Sequence, residues 1–392
     1  MNPLAAHYTR FRVAERLLLS GHSHQAWPDV ALEGQIEAFE DAARHVDDKW
    51  ERAFAKAEEV RAGFRRALAD PSAEIALGAN THELVLRFLS ALDLRARPRL
   101  VSTDGEFHTL RRQLARLEEA GLEVVRLPAD RADSLAERLS AAVDERTSAV
   151  LVSAVLFETA RIVPGLDALA RACADVGAEL LVDAYHALGA MPFAVGELGL
   201  ADAWVVGGGY KYLQLGEGNC FLRVPAHGGE LRPAITGWFA EFAALADEHD
   251  PSRVAYGRGA ERFAGSTYDP TSHYRAARVM RFFDEHGLTP ERLRASYRRQ
   301  VDLLAAAFDA LQAPDEVITR DRAIPLDRYG GFLALRTGVA RELQAALCAR
   351  GVMTDSRGQW LRLGPAPYLA DEQLETAVEL LGEAIRSLPR SS

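Results

Sequence analysis

From about residue 73 to 265, short apolar runs alternate with stretches of helical composition, and that alternation restricts the folds open to the chain. The runs are Arg99–Thr103, Glu123–Leu127, Ser148–Ala154, Glu179–Asp183, Ala203–Gly207 and Cys220–Val224. Between them the spacing predicts helices such as Leu110–Ala120, Ser134–Val143 and Leu166–Val176. A strand covered on both faces reads as a continuous apolar run, and intervening helices return the chain for parallel pairing. The expectation is an α/β fold whose large domain carries a mostly parallel sheet covered by helices. Ligands of such sheets bind beyond the carboxyl ends of the strands.

The rest of the chain is arranged around that unit. Residues 1–30 read as an irregular arm and 31–269 as the large domain, which opens with a helical stretch over 31–70. Residues 270–392 read as a smaller C-terminal α/β domain. There a long helix is expected over 271–312, strands near Gly331–Leu335 and Trp360–Leu363, and helices at 339–350 and 371–387.

With 392 residues, 48% hydrophobic and 26% charged, the chain can bury a large core. A formal charge of −10 argues against nucleic acid or an anionic membrane as the main partner. Cys173, Cys220 and Cys348 lie far apart and suggest neither a disulfide framework nor a cysteine-based metal site. The N-terminal stretch is too charged for a signal peptide, and no run reaches membrane-spanning length, so a cytoplasmic location is expected.

Two residues point to chemistry. Asp183 ends the run Glu179-Leu-Leu-Val-Asp183, and Lys211 follows the next run after three glycines, between Tyr210 and Tyr212. An acid at one strand end and a lysine past the next suit pyridoxal 5'-phosphate (PLP). The lysine can form the Schiff base, and the carboxylate can keep the pyridine nitrogen protonated. A partly desolvated lysine loses pKa and becomes nucleophilic. Taken alone, Asp183 also suits a helix cap, and His186 three residues later suits a structural histidine.

The spans LLVDAYHALGAMP, GGGYKYLQLGEGNCFLRVP and TGWFAEF, with the intervening chain through about residues 70–370, resemble PLP enzymes of fold type I. More narrowly they resemble the aminotransferase class V superfamily and its kynureninase branch. The resemblance implies a phosphate loop at Leu77–Leu84, with Asn80 and Thr81 as side-chain donors at a helix N-terminus. It implies an aromatic ring from Asp104–Thr109 over the cofactor, Phe107 first and His108 second. It also implies Asp183 and His186 at the ring, Trp238 near the phosphate, and Thr267 in a loop reaching a partner subunit's phosphate in a homodimer. Arg362, in Trp-Leu-Arg-Leu-Gly-Pro-Ala-Pro-Tyr368, corresponds to the arginine that grips the substrate carboxylate, with Arg357 as the alternative.

The implied activity is hydrolysis of the Cβ–Cγ bond of L-kynurenine to anthranilate and L-alanine. Lys211 would move the α-proton and Tyr210 would act as general acid. A class V aminotransferase would use the same residues. Cysteine desulfurase chemistry needs a nucleophilic cysteine near Arg362, and 353–370 holds none. A non-catalytic binding protein on the same fold sits poorly with an intact Lys211 and Asp183. The chain departs from the branch at His22-Ser-His-Gln25, at Leu110 and at 264–273. His22 and His24 are therefore expected at the substrate; as a metal pair they lack a third ligand.

Overall fold

The computed structural model describes residues 2–245, 250 and 252–388. In chain order its elements begin with β1 (Leu17–Leu18), α1 (Val30–His45), α2 (Lys49–Ala67), β2 (Glu74–Gly78), α3 (Thr81–Ser90) and β3 (Arg99–Thr103). They continue with α4 (His108–Glu119), β4 (Glu123–Leu127), α5 (Leu135–Ala142), β5 (Thr147–Ser153), α6 (Leu166–Val176), β6 (Glu179–Asp183), β7 (Trp204–Gly208) and β8 (Cys220–Val224). The C-terminal part comprises α7 (Thr271–Glu285), α8 (Pro290–Ala310), β9 (Ile318–Thr319), β10 (Leu333–Thr337) and α9 (Ala340–Ala349), then β11 (Val352–Met353), β12 (Asp355–Arg357), β13 (Trp360–Leu363) and α10 (Asp371–Ser387).

Seven strands form the central sheet in the order β2-β8-β7-β6-β5-β3-β4. Only β8 runs antiparallel to its neighbours. The apolar runs behave as the alternation requires. In β5, Val150 and Val152 enter one core cluster while Ala149 and Leu151 enter another. Val205 and Trp204 of β7 divide in the same way. Successive strand side chains point to opposite faces, so a strand apolar at every position buries both. The carboxyl ends of β6 and β7 come out side by side and carry Asp183 and the glycine run before Lys211. A second, four-stranded antiparallel sheet has the order β12-β13-β10-β9. Among the described residues no helix is long and apolar enough to cross a membrane.

Three expectations need correction. The helical stretch over 31–70 is two helices, because Val46 turns to φ 48° and ends α1. The helix over 271–312 is also two. Gly287 takes φ 58°, and the next helix starts where Thr289 accepts a hydrogen bond from Arg292 N (3.3 Å) with Pro290 at its first position. Third, the arm is not irregular. It forms three short 3-10 turns, and β1 pairs parallel with β11. Buried side chains tie it down: Tyr8 Oη bonds Gln214, Gln214 Nε2 donates to Gln25 Oε1 (2.9 Å), and Gln25 Nε2 donates to Tyr297 Oη (2.7 Å).

Candidate active site

The glycines before Lys211 let strands and loop approach closely. A Cβ on Gly208 would stand 2.5 Å from both Cys220 Sγ and Tyr185 Oη, and one on Gly209 would stand 2.3 Å from Leu215. The loop closes through Leu215 N to Gly209 O (2.8 Å) and Gln214 N to Lys211 O (3.1 Å), with Gln214 at φ 59°. This turn carries Lys211 inward, leaving it 5% exposed.

Lys211 Nζ lies 2.7 Å from His186 Nε2. It stands 4.5 Å from the Tyr185 ring centroid, 5.5 Å from that of Phe107 and 5.7 Å from that of Tyr210. Burial pulls its pKa down to about 7; Asp183 opposes the shift and Arg362 adds to it. Burial, reinforced by the Lys211 and Arg362 charges, holds His186 well below the usual imidazole range. A neutral His186 can therefore accept a hydrogen bond from Lys211 at Nε2, while its Nδ1 has no partner. Asp183 accepts from Tyr185 N (2.8 Å), so it also serves the turn that its position suggested. Burial raises its pKa, against the Tyr185 N–H and Lys211. Tyr210 is pushed up to about 12, chiefly by burial, and stays protonated.

Arg362 is 3% exposed. It pairs with Asp355, its register partner across β12 and β13, and donates to the Phe157 carbonyl, which leaves Nε without a partner. Arg357, the alternative, also bonds Asp355 (2.7 Å) but is more exposed. His22 is wholly buried, lies 3.8 Å from Asp355 and stacks near Phe332 at 4.5 Å. Neither of its ring nitrogens has a hydrogen-bond partner. Burial, followed by the charges of Arg362, Lys211 and Arg357, keeps it neutral. His24 is exposed and stacks on Tyr210 at 4.8 Å.

The remaining expected residues form a separate wall. Asn80 caps α3 by accepting from Glu83 N (3.0 Å), and Thr81 opens that helix. The Thr81 backbone also acts on the Cys220 thiol, which places the helix N-terminus beside the Lys211 pocket. Trp238 Nε1 donates to Thr267 Oγ1 (3.1 Å), so these two side chains meet each other rather than Lys211. Thr267 shares a cavity with Gly78, Ala79 and Gly237, at the end of β2.

Sequence reasoning passed over Tyr185, Glu106 and Asp355. Tyr185 and Glu106 stood inside motifs already singled out, as neighbours of Asp183 and Phe107. Asp355 had no local signal, because its role comes from strand register.

These groups fit a PLP site. A desolvated lysine, a carboxylate at the neighbouring strand end and uncommitted nitrogens on His22, His186 and Arg362 lie close to one another, and a helix N-terminus beside Cys220 can take an anion.

Comparison with known proteins agrees. The family model "Aminotransferase class-V" matches residues 32–213. The "Uncharacterized aminotransferase YcbU" of Bacillus subtilis (strain 168) is 24% identical over 345 residues, covering 88% of each chain. Among solved structures, a variant of C-DES with glycine covalently linked to the PLP cofactor superposes with a TM-score of 0.85 at 15% identity, over 97% of this chain and 99% of that one. The apo cysteine desulfurase of Thermococcus onnurineus NA1 gives 0.81 at 18% identity, over 99% of each chain. The Escherichia coli cysteine desulfurase CsdA gives 0.80 at 15%, over 98% of each chain. The fold is that of the fold type I enzymes, and the cofactor is pyridoxal 5'-phosphate.

Proposed function

From the premise that this chain is a PLP-dependent enzyme of the aminotransferase class V type, we propose that it hydrolyses the Cβ–Cγ bond of a kynurenine-type amino acid. The observation that carries the reading is Tyr210: a phenol kept protonated beside Lys211 and backed by His24. The bound cofactor supplies an electron sink for charge developing at the substrate's α-carbon. Arg362, oriented by Asp355 and the Phe157 carbonyl, would take the α-carboxylate on its uncommitted Nε face. Lys211, whose pKa of about 7 leaves much of it neutral near pH 7, would remove the α-proton. After water adds to the γ-carbonyl, Tyr210 would give its proton to Cβ as the bond breaks. His22 would meet the substrate with its two free ring nitrogens.

Cysteine desulfurase chemistry finds no nucleophile here. The Cys220 thiol is held at about 12 by burial, and Cys173 is likewise raised to about 12. Cys348 is exposed on α9. A class V aminotransferase is the second reading, favoured by the name given to the Bacillus subtilis relative.

Purified protein given L-kynurenine is expected to release anthranilate and alanine in equal amounts with no keto acid. Arg362→Ala should raise KM roughly 10- to 100-fold, the cost of hydrogen bonds to a charged group. Conversion of a different amino acid only in the presence of a keto acid would replace hydrolysis by transamination.

The same reading includes a homodimer. Ile235, Trp238, Phe242 and Leu245 expose 44–49% of their surface around the Thr267 loop, an apolar face that a second copy would cover. Sedimentation should show a species of twice 42.9 kDa; an active species at 42.9 kDa rejects it.

A further inference from the structure

The chain buries a second carboxyl group at the site. Glu106 is 2% exposed and stands in the turn between β3 and α4, one residue before Phe107. Its Oε1 lies 2.7 Å from Thr103 Oγ1 and 3.2 Å from Ser153 N, and its Oε2 lies 2.6 Å from Ser153 Oγ. These contacts reach the ends of two strands, β3 and β5. Ser153 is itself the register partner of Asp183 across β5 and β6. The turn is held from other sides too. Asp104 accepts from Ala129 N (2.8 Å), Gly105 N donates to Thr103 Oγ1 (3.2 Å), and a Cβ on Gly105 would stand 2.5 Å from Ala129. Among the described residues no lysine, arginine or histidine forms an ion pair with Glu106. The charged group that faces it is Asp183, of like sign.

An acid in that position has little to gain from ionising. Burial outweighs its three hydrogen bonds, Asp183 adds to the effect, and the pKa rises to about 7. Both of its oxygens are already committed to Thr103 and Ser153, so it serves the turn and not a substrate. What it does touch is the backbone that aims Phe107, whose ring lies 5.5 Å from Lys211 Nζ.

We propose that Glu106 is a positioning residue for the cofactor: a hydrogen-bonded brace that ties the Phe107 turn to the ends of β3 and β5 and so sets the Phe107 ring relative to Asp183. It acts by geometry and not by charge. This rests on the reading that Phe107 faces the PLP ring. Below about pH 7 Glu106 is mostly uncharged and leaves Asp183 as the anion for the pyridine nitrogen, whereas a second charge there would share the proton between two carboxylates.

The test uses full-length protein stripped of PLP and titrated with PLP, following the visible absorption and the visible circular dichroism of the bound cofactor. Glu106→Gln keeps the shape and the hydrogen bonds without the charge. It is expected to bind PLP within about threefold of the wild type, with an unchanged dichroic band, since neutral hydrogen bonds are retained. Glu106→Ala should weaken binding by about tenfold or more and diminish the band, because the ring partner is no longer fixed. A Glu106→Ala variant that matches the wild type overturns the proposal. A Glu106→Gln variant as weak as Glu106→Ala also overturns it, because charge would then be what matters. Should Glu106→Ala not fold, Ser153→Ala decides: it removes the Oε2 contact, and an unaltered dichroic band in it sinks the brace. A wild type with PLP attached but Phe107→Ala spectrally silent would instead refute the underlying placement of Phe107.

Discussion

Lys211→Ala is expected to lose all turnover and all covalent attachment of the cofactor. The chain has only three lysines, Lys49, Lys56 and Lys211, so attachment has three possible places. Lys56 is committed to Glu37 (2.8 Å), and Lys49 lies near the surface against Trp50 (5.7 Å). Lys211 alone is buried among aromatic rings with its pKa drawn down to about 7. The neutral amine is the nucleophile, so capture of PLP by the apoprotein should quicken as pH rises through that value. The neutral fraction grows from about one eleventh at pH 6 to about ten elevenths at pH 8, so the capture rate should rise roughly tenfold. Peptide mapping after borohydride reduction should find the pyridoxyl group on Lys211. The label on Lys49 or Lys56, or a capture rate flat between pH 6 and 8, would contradict this.

Asp183→Ala should cost at least about 100-fold in kcat, which is about 2.7 kcal/mol of barrier, while the protein stays folded. Asp183 has little stabilising work to lose, because burial raises its pKa and opposes its charge in the folded protein. Its hydrogen bond from Tyr185 N is of a kind contributing about 1 kcal/mol. The apoprotein should therefore melt within a few degrees of the wild type, whereas the bound cofactor's absorption should shift. Near-normal turnover in Asp183→Ala would remove the carboxylate from the reaction. A collapse of the melting temperature with normal chemistry per folded molecule would make it a turn residue only.

Much of the architecture was legible because its causes are local. Leu166–Val176 was bounded correctly: Gly165 and Gly177 flank it at φ 77° and 68°, conformations that few other residues adopt. Trp360–Leu363 and 371–387 also fell where expected. The helix breaks at Val46 and Gly287 were missed because helical composition continues on both sides of them, and one residue at positive φ is enough to turn the chain.

The site divides along the same line. Lys211 and Asp183 could be read together because each ends an apolar run, and runs neighbouring in a parallel sheet bring their carboxyl ends together. Tyr210, His186 and Phe107 came with them as close neighbours in sequence. Only the tertiary structure could bring Arg362 to Asp355, His22 to Asp355, or Glu106 to Ser153, 47 residues away. Those pairings depend on strand register and on where the arm packs. The same is true of ionisation: a lysine near pH 7, a protonated Tyr210 and a carboxyl at Glu106 that resists charge are consequences of burial. The residue types and their order supplied the reactive groups, and removal of those groups from water, which only packing achieves, decided their state.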